Sequence, residues 1–103
     1  MKTCITCGMP LEGDHASDFG FDSLDGPVCR FDSEHGKIKT PEDIFAGGVA
    51  FFADSVAGGN VELASRLTRR NMRTLGYWQS HPFTLLEGPV ATDEEFREAM
   101  SKL

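Results

Sequence analysis

Cys4-Ile5-Thr6-Cys7-Gly8-Met9-Pro10, answered farther along by Cys29-Arg30-Phe31-Asp32, decides how the first forty residues fold. A C-x-x-C turn brings two sulfurs within reach of one ion. The glycine after the second cysteine lets the backbone reverse and aim N–H groups at the thiolates. Cys29 adds a third sulfur, and the chain holds three cysteines in all. Zinc takes four tetrahedral ligands drawn from Cys, His and Asp/Glu, and Asp32 stands where a fourth would. The candidate metal ligands are therefore Cys4, Cys7, Cys29 and Asp32.

Two other uses of these residues stay open. A C-x-x-C pair also serves as a thiol–disulfide couple, but that use favours a helix N-terminus, and Gly8-Met9-Pro10 opens a helix poorly. Incidental thiols are the plainer alternative. The fourth position is open as well: His35 lies three residues beyond Asp32 and would give a Cys3His set, while His15, His81 or water are more distant choices. A carboxylate is a harder ligand than a thiolate, so a Cys3Asp site should bind zinc less tightly and less selectively.

Around this constellation, residues 1–40 read as loops and short strands. Gly8, Gly13, Gly20, Gly26 and Gly36 punctuate them, and no helical period runs through. Phe19, Phe21, Val28 and Phe31 can form only a small cluster, so a metal is the expected organiser. Thr40-Pro41-Glu42-Asp43 then signals a helix: an N-cap, a proline at the first turn, and acids at the positive end of the dipole. Ile44, Phe45, Val49, Phe52 and Val56 share its apolar face. Gly47-Gly48 inside it reads either as a close approach by a neighbour or as tolerated cost.

Gly58-Gly59-Asn60 separates that helix from a second, predicted over residues 61–75 and stopped by Gly76. Val61, Ala64, Leu67, Met72 and Leu75 fall on its apolar side, opposite Arg66, Arg69, Arg70 and Arg73. So short a loop makes the two helices an antiparallel hairpin, onto whose seam Tyr77 and Trp78 should fold back. Thr92-Asp93-Glu94-Glu95 is a capping box opening a last helix, with Phe96, Met100 and Leu103 on one face.

The net charge of −6 is uneven: only residues 61–78 are basic, with four arginines against Glu62. Nucleic-acid binders are more often basic as a whole, and the arginine strip has a plainer reading as a face that pairs with the chain's acids. Asp14 with His15, or Glu34 with His35, could be written as acid–base pairs, but the sequence sets no nucleophile beside them. The glycine pairs lack the lysine and spacing of a phosphate loop. No apolar run reaches the roughly 18 residues of a membrane span, and Met1-Lys2-Thr3-Cys4 lacks the apolar core of a signal peptide. With an odd cysteine count, the expectation is a cytoplasmic protein.

Cys4-Ile5-Thr6-Cys7-Gly8-Met9-Pro10-Leu11, Gly26, Cys29-x-x-Asp32 and Gly36-Lys37 resemble the zinc-ribbon family that opens C-x-x-C-G-M-P and continues to C-x-x-C and G-K. The likeness covers residues 1–40 and extends more loosely to Trp78. It implies a structural zinc held by Cys4, Cys7 and Cys29, with Asp32 replacing the last cysteine, and it implies no particular activity.

The expectation is thus an α+β chain. It has a zinc-ribbon-like segment (1–40), a helical hairpin (41–78), and a loop with a C-terminal helix (79–103). The expected function is that of a non-enzymatic zinc module that meets a protein partner. Nucleic-acid binding through the arginine strip, or an enzyme with a labile Cys3Asp zinc, are the alternatives.

Overall fold

A computed structural model describes residues 2–103. Over these residues the chain is α+β: two small antiparallel strand pairs precede four α-helices. Strand β1 (Phe19–Ser23) pairs with β2 (Gly26–Cys29), and β3 (Ser33–Glu34) pairs with β4 (Lys37–Ile38). A 3-10 turn at Gly13–Asp18 leads into β1. These strands bury little: Cys4, Leu11, Val28 and Cys29 form their core, with Phe19 and Phe21 packed against it. Phe31 departs from the expected cluster. It lies exposed, with the Arg30 guanidinium 4.6 Å over its ring.

Helix α1 (Pro41–Ser55) begins where its cap predicts, with the Asp43 N–H donating to the Thr40 hydroxyl at 3.2 Å. It lies along α2 (Val61–Arg73), whose Asn60 cap accepts from the Leu63 N–H at 3.1 Å. Phe52, Ala53 and Val56 meet Ala64 and Leu67 in one core. Burying Leu67 fully contributes about 2 kcal/mol. A second core gathers Ile44, Phe45, Met72, Trp78 and Leu86, and Ile38 touches both it and the strand core.

The glycine pair splits between the two readings. A Cβ on Gly48 would stand 2.7 Å from Thr68 Cγ2, so α2 approaches closely there, whereas Gly47 faces open space. Gly47→Ala should therefore stabilise the fold by up to about 1 kcal/mol, and Gly48→Ala should destabilise it by about 1–3 kcal/mol through overpacking. Opposite shifts in urea midpoint are the expected result; equal shifts would contradict the packing.

Three expectations need correction. Val61 is 60% exposed rather than buried, because it occupies the first turn of α2, beyond the end of α1. The second helix ends at Arg73, and Gly76 opens α3 (Gly76–Ser80) instead of terminating a helix. That extra turn carries Trp78 into the second core, while Tyr77 stays half-buried. The last residue of the predicted C-terminal face, Leu103, is exposed, and Ala99 takes the buried place.

The arginine strip is largely an internal clamp. Helix α4 (Asp93–Ser101) starts with the full capping box of Thr92 and Glu95. Arg66 bonds both oxygens of Glu95 and also reaches Glu62 at 2.7 Å. Arg69 donates to the Leu85 and Pro89 carbonyls at 2.9 and 2.6 Å. Arg70 donates to the Ala91 carbonyl at 3.1 Å and pairs with Asp93 at 2.7 Å. Residues 79–103 are thereby fastened along α2, with Leu86 and Ala91 seated in the two helical cores.

The Arg66 guanidinium, helped by the Thr92 N–H, holds the Glu95 carboxyl down to about 2 from an ordinary 4.5. Because the folded value is the lower one, this contact stabilises fully above about pH 4.5 and fades as pH falls toward 2. Acid titration of helicity should show a steeper loss in that window for the native chain than for Glu95→Gln. Identical slopes would refute the assignment.

Candidate metal centre

The first knuckle is a tight reversal stapled at both ends. Cys4 N–H donates to the Met9 carbonyl at 2.9 Å, and Gly8 N–H donates back to the Cys4 carbonyl at 2.8 Å. Gly8 sits at φ 82°, a left-handed conformation that a residue with a Cβ adopts at a cost. Thr3 and Pro10 bridge across the base. The second knuckle follows β2, where Asp32 N–H turns back to the Cys29 carbonyl at 3.3 Å and Ser33 Oγ donates to that same oxygen at 2.9 Å. Ile5 N–H joins the two by donating to the Pro27 carbonyl at 3.0 Å.

These turns bring one ligand atom each from Cys4, Cys7, Cys29 and Asp32 to within 4.8 Å of one another. Cys7 Sγ and Cys29 Sγ are 3.8 Å apart, and Cys4 Sγ is 3.9 Å from Asp32 Oδ2. A tetrahedron of sulfurs at the Zn–S distance of about 2.3 Å has edges of roughly 3.8 Å. The spacing therefore suits a four-coordinate ion. Cys4, Cys29 and Asp32 are buried, while Cys7 is partly open.

The electrostatics point the same way. The Cys29 and Cys7 thiols hold the Cys4 thiol well below the ordinary cysteine value. Donating toward Cys4 pushes Cys29 up to about 12, and Cys7, bonded to both neighbours and buried, is raised further. Burial, reinforced by the negative Cys4, raises Asp32. So the cluster carries one thiolate comfortably and resists three thiolates plus a carboxylate. A dication at its centre removes that repulsion, and its binding would release protons.

The three histidines stand apart from the cluster. His35 is solvent-exposed at φ 52° with Glu34 3.8 Å away. His15 Nδ1 contacts Asp18 at 3.2 Å, and His81 stacks on Tyr77. None joins the four ligand atoms, so Asp32 is the one gathered at the fourth position.

Three neighbours hold the cluster through contacts that the sequence does not signal. Thr6, wholly buried, donates its hydroxyl to Asp32 Oδ2 at 2.7 Å. The Trp78 Nε1–H donates to the Thr6 carbonyl at 2.9 Å, and Asn71 Nδ2 donates to the Cys7 carbonyl at 3.0 Å. The knuckle is thus tied to α2 and α3 through its own backbone. The aromatic fold-back of Trp78 was legible, but its partner lies too far away in sequence for any local pattern to name.

Two surface grooves, of about 840 and 210 Å³, lie elsewhere. The larger is lined by residues including Arg73, Trp78, Phe83 and Glu87, and the smaller by residues including Ile5, Asp25, Tyr77 and His81; neither is lined by a ligand residue. Among the described residues no helix is long and apolar enough to cross a membrane. Compared with protein-family models, curated proteins and solved structures, the chain matches none.

Proposed function

We propose that this chain is a zinc-stabilised, non-enzymatic module of zinc-ribbon type. In this reading Cys4, Cys7, Cys29 and Asp32 hold one structural zinc, and the helical unit presents a surface to a protein partner. The observation that carries the reading is the gathering of four ligand atoms within 4.8 Å, three of them from buried residues. Four protein ligands make a closed shell, as in structural sites, whereas catalytic zinc keeps a position for water or substrate. The nucleic-acid alternative loses support because Arg66, Arg69 and Arg70 are engaged within the chain.

Protein purified without added metal should carry one equivalent of zinc. Asp32→Cys should slow zinc removal by a chelator, since a fourth thiolate binds it more tightly. No zinc together with three freely titrating thiols would refute the proposal, and unchanged chelator resistance would remove Asp32 from the ligand set.

A further inference from the structure

The Thr6 side chain lies between two groups that would both carry negative charge around a metal. Its Oγ1 is 3.0 Å from Cys4 Sγ and 2.7 Å from Asp32 Oδ2. A threonine hydroxyl has one hydrogen to give. Cys4 already receives a donor of its own, the Cys29 N–H at 3.2 Å. An ionised carboxylate only accepts, so the shorter contact takes the hydroxyl hydrogen. Each charge then has one donor: the Cys29 amide for the Cys4 sulfur, the Thr6 hydroxyl for Asp32.

From this geometry we infer that Thr6 is the positioning residue of the metal centre, holding Asp32 so that it ligates through a single oxygen. The inference rests on the metal-centre reading above. A hydrogen bond at Oδ2 occupies one lone pair and fixes the rotation of the carboxylate, which disfavours a symmetric grip by both oxygens. Such partners orient ligands in many metal sites, and losing one typically weakens metal binding about 10–100-fold. Thr6 is itself held in place, since it is fully buried and its carbonyl accepts the Trp78 indole N–H at 2.9 Å. A cysteine at position 32 would have far less use for this hydroxyl. The threonine thus accounts for how an aspartate can serve in a cysteine's place.

Cobalt(II) titration of the full chain, followed by displacement with zinc, tests this. Native protein should show the intense visible bands of a four-coordinate centre. Thr6→Val, nearly the same shape without the hydroxyl, should weaken those bands and lower zinc affinity about 10–100-fold. Thr6→Ser, which keeps the hydroxyl, should behave as native. In an Asp32→Cys background the same Thr6→Val change should alter affinity by no more than about twofold, the size expected of uncoupled sites. An equal loss in both backgrounds would show that Thr6 acts through Cys4 or through folding, and would overturn the inference. Failure of Thr6→Ser to match native would overturn it too. Native protein that takes up no cobalt would instead refute the metal centre itself, a result distinct from either.

Discussion

Stripping zinc from the loaded protein is expected to melt residues 2–40 while the helical unit keeps its fold. The reason lies in how little the first segment buries. Its core is four residues, and two of them, Cys4 and Cys29, are the candidate ligands themselves. Strands β3 and β4 are two residues each, and paired strands this short do not hold together alone in water. Zinc binding in finger-type peptides is worth about 10–16 kcal/mol, as much as the whole stability of an ordinary domain. The helices, by contrast, own two cores of their own. Hydrogen exchange reads the difference directly. On chelation the amides of Cys4, Ile5 and Lys39, bonded to Met9, Pro27 and Asp32, should lose protection, and those of Val56 and Ala64 should keep theirs. Unchanged protection in the first group would contradict a metal-dependent fold.

Replacing Trp78 is expected to have the largest effect of any single change in the helical unit. Its side chain is 2% exposed and sits among Ile44, Phe45, Met72 and Leu86, with Phe83 5.0 Å away between ring centres. Trp78→Ala should cost about 3–5 kcal/mol through the cavity it leaves. That amounts to a fall in Tm of roughly 12–40 °C for a chain of this size. Trp78→Phe fills most of the space but removes the indole N–H, leaving the buried Thr6 carbonyl without its donor at a cost of about 1–3 kcal/mol. The two variants should also differ in kind. The phenylalanine variant keeps its helical core and loosens zinc, whereas the alanine variant loses both. A Trp78→Phe protein with native Tm and native zinc affinity would show that the Trp78–Thr6 bond couples nothing.

What could be read from the sequence follows from how local each cause is. Thr40-Pro41 and Thr92 to Glu95 are caps, satisfied within one turn, and both helices begin where these residues place them. The ligand spacing is local in the same sense, since Cys4 and Cys7 share a turn, as do Cys29 and Asp32. Reading failed where a distant partner decides. Gly76 looked like a stop because glycine often ends helices, but packing of Trp78 beneath α1 makes a new turn begin there. The arginines of α2 read as a face that pairs with the chain's acids, and Arg66 and Arg70 do pair with Glu95 and Asp93. What the sequence does not announce is that Arg69 and Arg70 also take the carbonyls of Leu85, Pro89 and Ala91, which leave no charge pattern. Thr6 was one of two unremarkable residues inside C-x-x-C, and only the approach of Asp32 from the second knuckle gives its hydroxyl a role.

The central claim is a zinc held by three sulfurs and one carboxylate oxygen. X-ray absorption at the zinc edge of the loaded native protein tests it most directly. The account predicts three sulfurs at about 2.3 Å and one oxygen at about 2.0–2.2 Å. A shell containing an imidazole, or one made only of oxygen and nitrogen, would contradict it.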